Sequence, residues 1–96
     1  MDPATLRPGQ VFRILQPIRR MVVDRLASSG SCREEAEPIP EGVLIQIWPF
    51  FGNNGVVSIS ISFGTEQTEW QTDGAGYDNE ISLWELQQNC EAVNVE

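Results

Sequence analysis

Val56-Val57-Ser58-Ile59-Ser60-Ile61-Ser62-Phe63 alternates almost without fault, with Val57, Ile59, Ile61 and Phe63 on one side and Ser58, Ser60 and Ser62 on the other. A period of two is that of a β-strand, and its composition predicts one buried face and one wetter face. Immediately upstream, Val43-Leu44-Ile45-Gln46-Ile47-Trp48-Pro49-Phe50-Phe51 is a second apolar run. Gly52-Asn53-Asn54-Gly55 joins the two with residues that tolerate positive φ. The pair predicts an antiparallel hairpin over 43–63.

The hairpin sets the reading of the rest of the chain. After Gly64, Thr68-Glu69-Trp70-Gln71-Thr72 is a returning strand with Trp70 pointing inward, broken by Asp73-Gly74-Ala75-Gly76. Ile81-Ser82-Leu83-Trp84-Glu85-Leu86 is a short strand or a single helical turn, and residues 89–96 are a partly frayed tail. Toward the other end, Leu6-Arg7-Pro8-Gly9 is a turn, and Val11-Phe12-Arg13-Ile14-Leu15 is a short strand closed by Pro17. Ile18, Met21, Val22 and Leu26 fall at helical spacing behind Pro17, which predicts a helix over 17–27, with an extended arm as the alternative because Val22-Val23 are β-branched. Residues 28–42, polar, acidic and rich in Gly and Pro, are a long surface loop.

This order is mainly β within a single domain, with its core at about 6–88 and one short helix or arm inserted after the first strand. It is similar to a small antiparallel SH3-like barrel, or a strongly bent sheet, in which residues 17–42 occupy the first long loop. The SH3 stretch Ala-Leu-Tyr-Asp-Tyr, the Trp-Trp pair and the closing Pro-x-x-Tyr are absent, so the resemblance implies a fold and no proline-rich ligand.

Composition narrows the chemistry. The 96 residues hold no histidine, and all six basic residues are arginines, against fourteen acids, for a formal charge of −8. The six arginines (Arg7, Arg13, Arg19, Arg20, Arg25 and Arg33) lie in the first 33 residues beside Asp2 and Asp24 alone, and every later charge is negative. Such a surface repels phosphate, so direct nucleic-acid binding is disfavoured, and it attracts basic proteins. No segment has the length of a signal-peptide core or a membrane span, which predicts a cytoplasmic protein. Cys32 and Cys90 form no CxxC pair and are read as free thiols.

Catalytic readings fail one by one. Ser60 or Cys90 as a nucleophile has no histidine or lysine to act as its base, and no apolar pocket is evident around Glu66, Glu69 or Glu85. Asp73, Asp78 and Glu80 lack the spacing of a calcium loop, and Gly74-Ala75-Gly76 lacks the lysine of a phosphate-binding loop. The expectation is a protein that is not an enzyme and has no cofactor or metal. Among the aromatics, Trp48, Phe63 and Trp84 are read as core, and one ring of Phe50-Phe51 as exposed, since neighbours on a strand point to opposite faces.

The sequence therefore predicts a protein–protein interaction module with a basic partner. Its candidate contacts are Glu34, Glu35, Glu37, Phe50, Phe51, Glu66, Glu69, Asp73, Asp78 and Glu80. An acidic inhibitor that mimics nucleic acid, and a structural homo-oligomer using 56–63 as an edge, are the alternatives.

Overall fold

The computed structural model describes residues 5–24, 32–53, 55–66, 69–71 and 77–93. Among these residues eight strands form one antiparallel sheet: β1 (Val11–Ile14), β2 (Ile18–Asp24), β3 (Cys32–Ile39), β4 (Leu44–Gly52), β5 (Gly55–Glu66), β6 (Glu69–Gln71), β7 (Tyr77–Ile81) and β8 (Cys90–Ala92), with a helix, α1 (Leu83–Asn89), between the last two. The spatial order is β3-β2-β7-β5-β4-β1-β8, and β6 also pairs with β5. The mainly β class and the 43–63 hairpin stand as read. The path ends at β3 and β8 without closing, so the sheet is not a barrel.

β5 is long enough to serve two neighbours in series on one side. Ile59 to Ile61 pair with β7, and Phe63 and Glu66 pair with β6, while β4 runs along the opposite side from Gly55 to Gly64. Residues 59–61 therefore lie between two strands, with 56–58 paired to β4 on one side among the described residues.

Among the described residues, 18–24 are extended, the alternative given to the helix, and 32–39 correct the loop expected at 28–42. The helical spacing of Ile18, Met21 and Val22 is overridden by pairing on both sides: β2 sits between β3 and β7, where β-branched Val22 and Val23 fit the pleat. The expected loop contains β3, whose charges and Pro38 suit an edge strand, because nothing pairs with its outer side among the described residues. The helix lies instead at 83–89, and residues 90–92 of the expected tail pair with β1. Residues 94–96, and Trp70 as a side chain, lie outside the described residues.

Glycine is required where the chain turns. Gln10 N donates to Arg7 O at 3.2 Å across Pro8 and Gly9, and Gly9 has φ +84°, which is a type II turn with Pro and Gly in their preferred places.

The core is largely isoleucine. Ile14, Ile18, Ile39, Ile45, Ile47, Ile59, Ile61 and Ile81 are buried with Phe12, Leu86 and Cys90, and Phe63 packs against them half-buried. Each such side chain, fully buried, stabilises by about 1.5–3 kcal/mol relative to exposure. Leu86 brings α1 onto the same inner face as Ile45, Ile47, Ile59 and Ile61.

Candidate functional site

The opposite face of the sheet has a different character, and register shows how it is composed. Trp48 pairs with Ser60, Ser60 with Glu80, Glu80 with Met21, and Met21 with Glu35. Directly opposed residues in antiparallel strands put their side chains on one face. The row thus runs from an aromatic ring, across a hydroxyl, to two carboxylates on either side of a thioether. Phe50 and Ser58 are paired one step along the same face.

A cleft of about 440 Å³ opens on this side. Ser58, Glu80, Met21 and Glu35 contribute to its lining, and Arg19, Ser82 and Glu85 are at the end where β7 gives way to α1. Ser82 is the N-cap of α1, its Oγ accepting from Glu85 N at 3.1 Å. That cap orients the first turn so that Glu85 lies inward. Its Oε1 accepts from Arg19 Nε at 3.2 Å and its Oε2 from Asn89 Nδ2 at 2.9 Å. A carboxylate this buried requires such partners, because desolvation of an unpaired charge is costly.

Cys90 follows directly after α1. Burial pushes its thiol up to about 12, and the nearby charge of Glu85 adds to the shift. The thiol is free and protonated at neutral pH, so it is a small apolar core group.

The aromatic end of the row is open. Trp48 is 45% exposed, Phe50 65% and Phe51 45%. Both phenylalanines are exposed because the β4–β5 register shifts between them, which breaks the alternation that would have buried one. Trp48 is not core as expected: Ile45 and Ile47 take the inner positions of β4, so Trp48 shares the outer face with Gln46. A Cβ built on Gly9 would lie 3.8 Å from its ring, which places the Pro8-Gly9 turn beside the indole. Trp84 is also exposed, at 59%, while Glu85 and Leu86 take the buried side of α1.

The remaining candidates are distributed as follows. Glu34, Glu35 and Glu37 are exposed on β3 and make no ion pair among the described residues. Glu35 alone of the three is placed in the row with Glu80; Glu34 pairs with Val22 and so faces the other way. Asp78, half-buried, is two residues from Glu80 and shares its face. Glu66 and Glu69 are opposed in the β5–β6 register, their side chains outside the described set, and Asp73 lies wholly outside it.

Sequence reasoning missed Arg19, Met21, Ser58, Ser82 and Trp48. Ser82-Leu83-Trp84-Glu85 carries the Ser-x-x-Glu pattern of a helix start, which was the available signal for the end of the cleft. Gln46 likewise marked the outer face to which Trp48 belongs.

The arginines are engaged in several places. Arg13 Nη1 is 3.5 Å from Glu91 Oε1, between β1 and β8. Arg20 stands on the inner face, its Nε donating to Glu37 O at 2.9 Å, its Nη1 to Asn79 Oδ1, and its guanidinium 5.3 Å from the centre of the Phe63 ring. Arg25 lies outside the described residues. No helix among the described residues is long and apolar enough to cross a membrane, and no cluster of three or more Cys, Asp or Glu is placed there to hold a metal. No family model, curated protein or solved structure matches this chain.

Proposed function

We propose that this chain is a non-enzymatic protein-binding module whose outer sheet face takes a basic segment of a partner protein. The observation that carries the reading is the row Trp48-Ser60-Glu80-Met21-Glu35, in which Glu80 is buried and the two ends, the Trp48 ring and the Glu35 carboxylate, are both exposed on one face. Aromatic rings half open to water are the residues that most often anchor an interface, and acidic groups around them select and steer a cationic partner. The overall charge of −8 acts in the same direction at longer range. Glu35, exposed and without an ion pair among the described residues, is the natural first contact.

A nuclear magnetic resonance titration with an arginine-containing peptide tests this reading. Amide shifts are expected to move at Trp48, Ser58, Ser60 and Glu35, and to diminish as the Debye length falls from roughly 10 Å at 0.1 M salt to roughly 3 Å at 1 M. Shifts that are absent, or that persist unchanged in high salt, overturn it.

A further inference from the structure

We infer that the half of the outer face built by β4 and β5 is a self-association surface, on which a second copy of this chain packs face to face into a closed, weak dimer that salt strengthens. This goes beyond the protein-binding reading and does not rest on it.

Register composes the patch. Gln46 pairs with Ser62, Trp48 with Ser60 and Phe50 with Ser58, three successive rows of the outer face without a charge among them. Val11, opposite Gln46 on β1, is uncharged too. The neutrality is written in the sequence: from Gly42 to Thr65 the chain has no Asp, Glu, Arg or Lys, although the protein carries −8 overall. Arg7, in the turn beside the indole, and Glu80, buried next to Ser60, stand at the borders. A two-fold dimer presents the same surface from both partners, so its contact must be complementary to itself. A surface of one sign repels its own copy, whereas open rings among hydroxyls and an amide do not. Two bodies of −8 therefore meet most favourably here.

The contact is made by faces rather than edges. Ile47 N donates to Gln10 O at 2.9 Å, so two residues on the nitrogen of Pro49 is directed to the same side of β4, where no strand pairs with it among the described residues and proline has no hydrogen to give. On the other side of the ribbon, β5 carries one extra residue, Val57, between the partners of Phe50 and Phe51, and such a bulge resists the addition of a further strand. Sheets packed face to face stand about 10 Å apart, a gap that aromatic side chains fill. Trp48, 45% exposed, and Phe50, 65% exposed, together offer about 250 Å² of ring surface per copy, against about 800 Å² per partner in a stable interface. That area keeps the dimer weak, and pairing closes it because each patch is used up by the other.

Sedimentation equilibrium of the intact chain, from micromolar to millimolar protein at about 0.1 M and about 1 M salt, tests this. The average mass is expected to rise toward twice that of one chain and stop there, with a dissociation constant several-fold lower in high salt, because repulsion between two bodies of −8 is then screened. Phe50→Ser, at an exposed ring, is expected to weaken pairing several-fold, an unchanged thermal melt showing that the variant is folded. In nuclear magnetic resonance spectra recorded on dilution, amide shifts are expected to move at Gln46, Trp48, Phe50, Ser58 and Ser60. A single-chain mass at every concentration and salt overturns the inference and leaves the protein-binding reading intact, since that reading concerns a basic peptide whose binding salt weakens. Pairing that weakens with salt or is untouched by Phe50→Ser overturns it as well. So does mass that grows past the dimer, or dilution shifts confined to β3 or β8, because the contact is then an edge.

Discussion

Arg19 and Glu85 meet across 66 positions of sequence, Nε to Oε1 at 3.2 Å, with the arginine side chain 74% exposed and the glutamate 7%. The pair joins β2 to the first turn of α1 and closes one end of the cleft. Its asymmetry matters: the cation stays largely hydrated and the anion does not, so the two halves of the pair respond differently to substitution.

Arg19→Ala leaves Glu85 buried with only Asn89 as a side-chain partner. Breaking a fully buried pair costs about 3–5 kcal/mol, and solvent around Arg19 reduces this to about 1–2 kcal/mol. Glu85→Gln, which removes the buried charge itself, is expected to cost less. Urea unfolding of the two variants checks the order, and equal losses would show that the pair acts only through packing.

Stability is expected to fall as pH rises above about 8.5. The Cys90 thiol is held protonated in the folded state up to about 12, whereas an unfolded cysteine ionises near 8.5. The unfolded state therefore loses a proton first. The contribution is complete below about 8.5 and disappears as pH climbs toward the folded value, with a slope of at most about 1.4 kcal/mol per pH unit from this group. Cys90→Ala is expected to flatten that slope in a series of urea melts, and native Cys90 to resist alkylation at pH 8.

Asn79 is 1% exposed, its Oδ1 held by Arg20 and its Nδ2 without a partner among the described residues. Arg20→Met keeps much of the stem over Phe63 and removes the guanidinium, leaving the amide unsatisfied at both ends. The expected loss is about 1–3 kcal/mol. The double variant with Asn79→Leu recovers part of it if the lost hydrogen bond is the cause, and a thermal melt distinguishes the cases.

Gly9→Ala is expected to cost about 1 kcal/mol through its φ of +84° alone, because a Cβ there meets the Trp48 ring only at ordinary contact distance. Phe50→Ser, by contrast, alters an exposed ring and is expected to change stability by no more than about 0.5 kcal/mol while weakening peptide binding. Parallel melts and peptide titrations of the two variants separate a folding residue from a binding one.

The parts of the fold legible in sequence are those where local chemistry and tertiary placement agree. Ile59 and Ile61 alternate with serines because one face of β5 is core, and Pro8-Gly9 turns because those residues preset the dihedrals. The illegible parts are those where a partner strand decides. In Arg19-Arg20-Met21-Val22-Val23 the helical spacing and the β-branched Val22-Val23 point opposite ways until pairing with β3 and β7 decides, and Glu34-Glu35-Ala36-Glu37 has the composition of a loop until it is placed at an edge. The candidate site was legible only as exposed Phe50-Phe51 and as acidic residues on β3. It was not legible in its arrangement, since Glu35, Met21, Glu80 and Trp48 become neighbours only through the registers of five strands.

The pairing of β8 with β1 bears on how the chain folds. Phe12 lies opposite Ala92, and Val93 N donates to Val11 O at 2.9 Å. A hairpin such as β4–β5 forms in microseconds from residues close in sequence, but this ladder closes a loop of nearly the whole chain, and such non-local topology slows folding toward milliseconds or longer. During synthesis β1 therefore waits for β8, made about 80 residues later. Until β8 arrives, the outer side of β1 is an unpaired edge, and that interval is when the nascent protein is most exposed to association with its own kind.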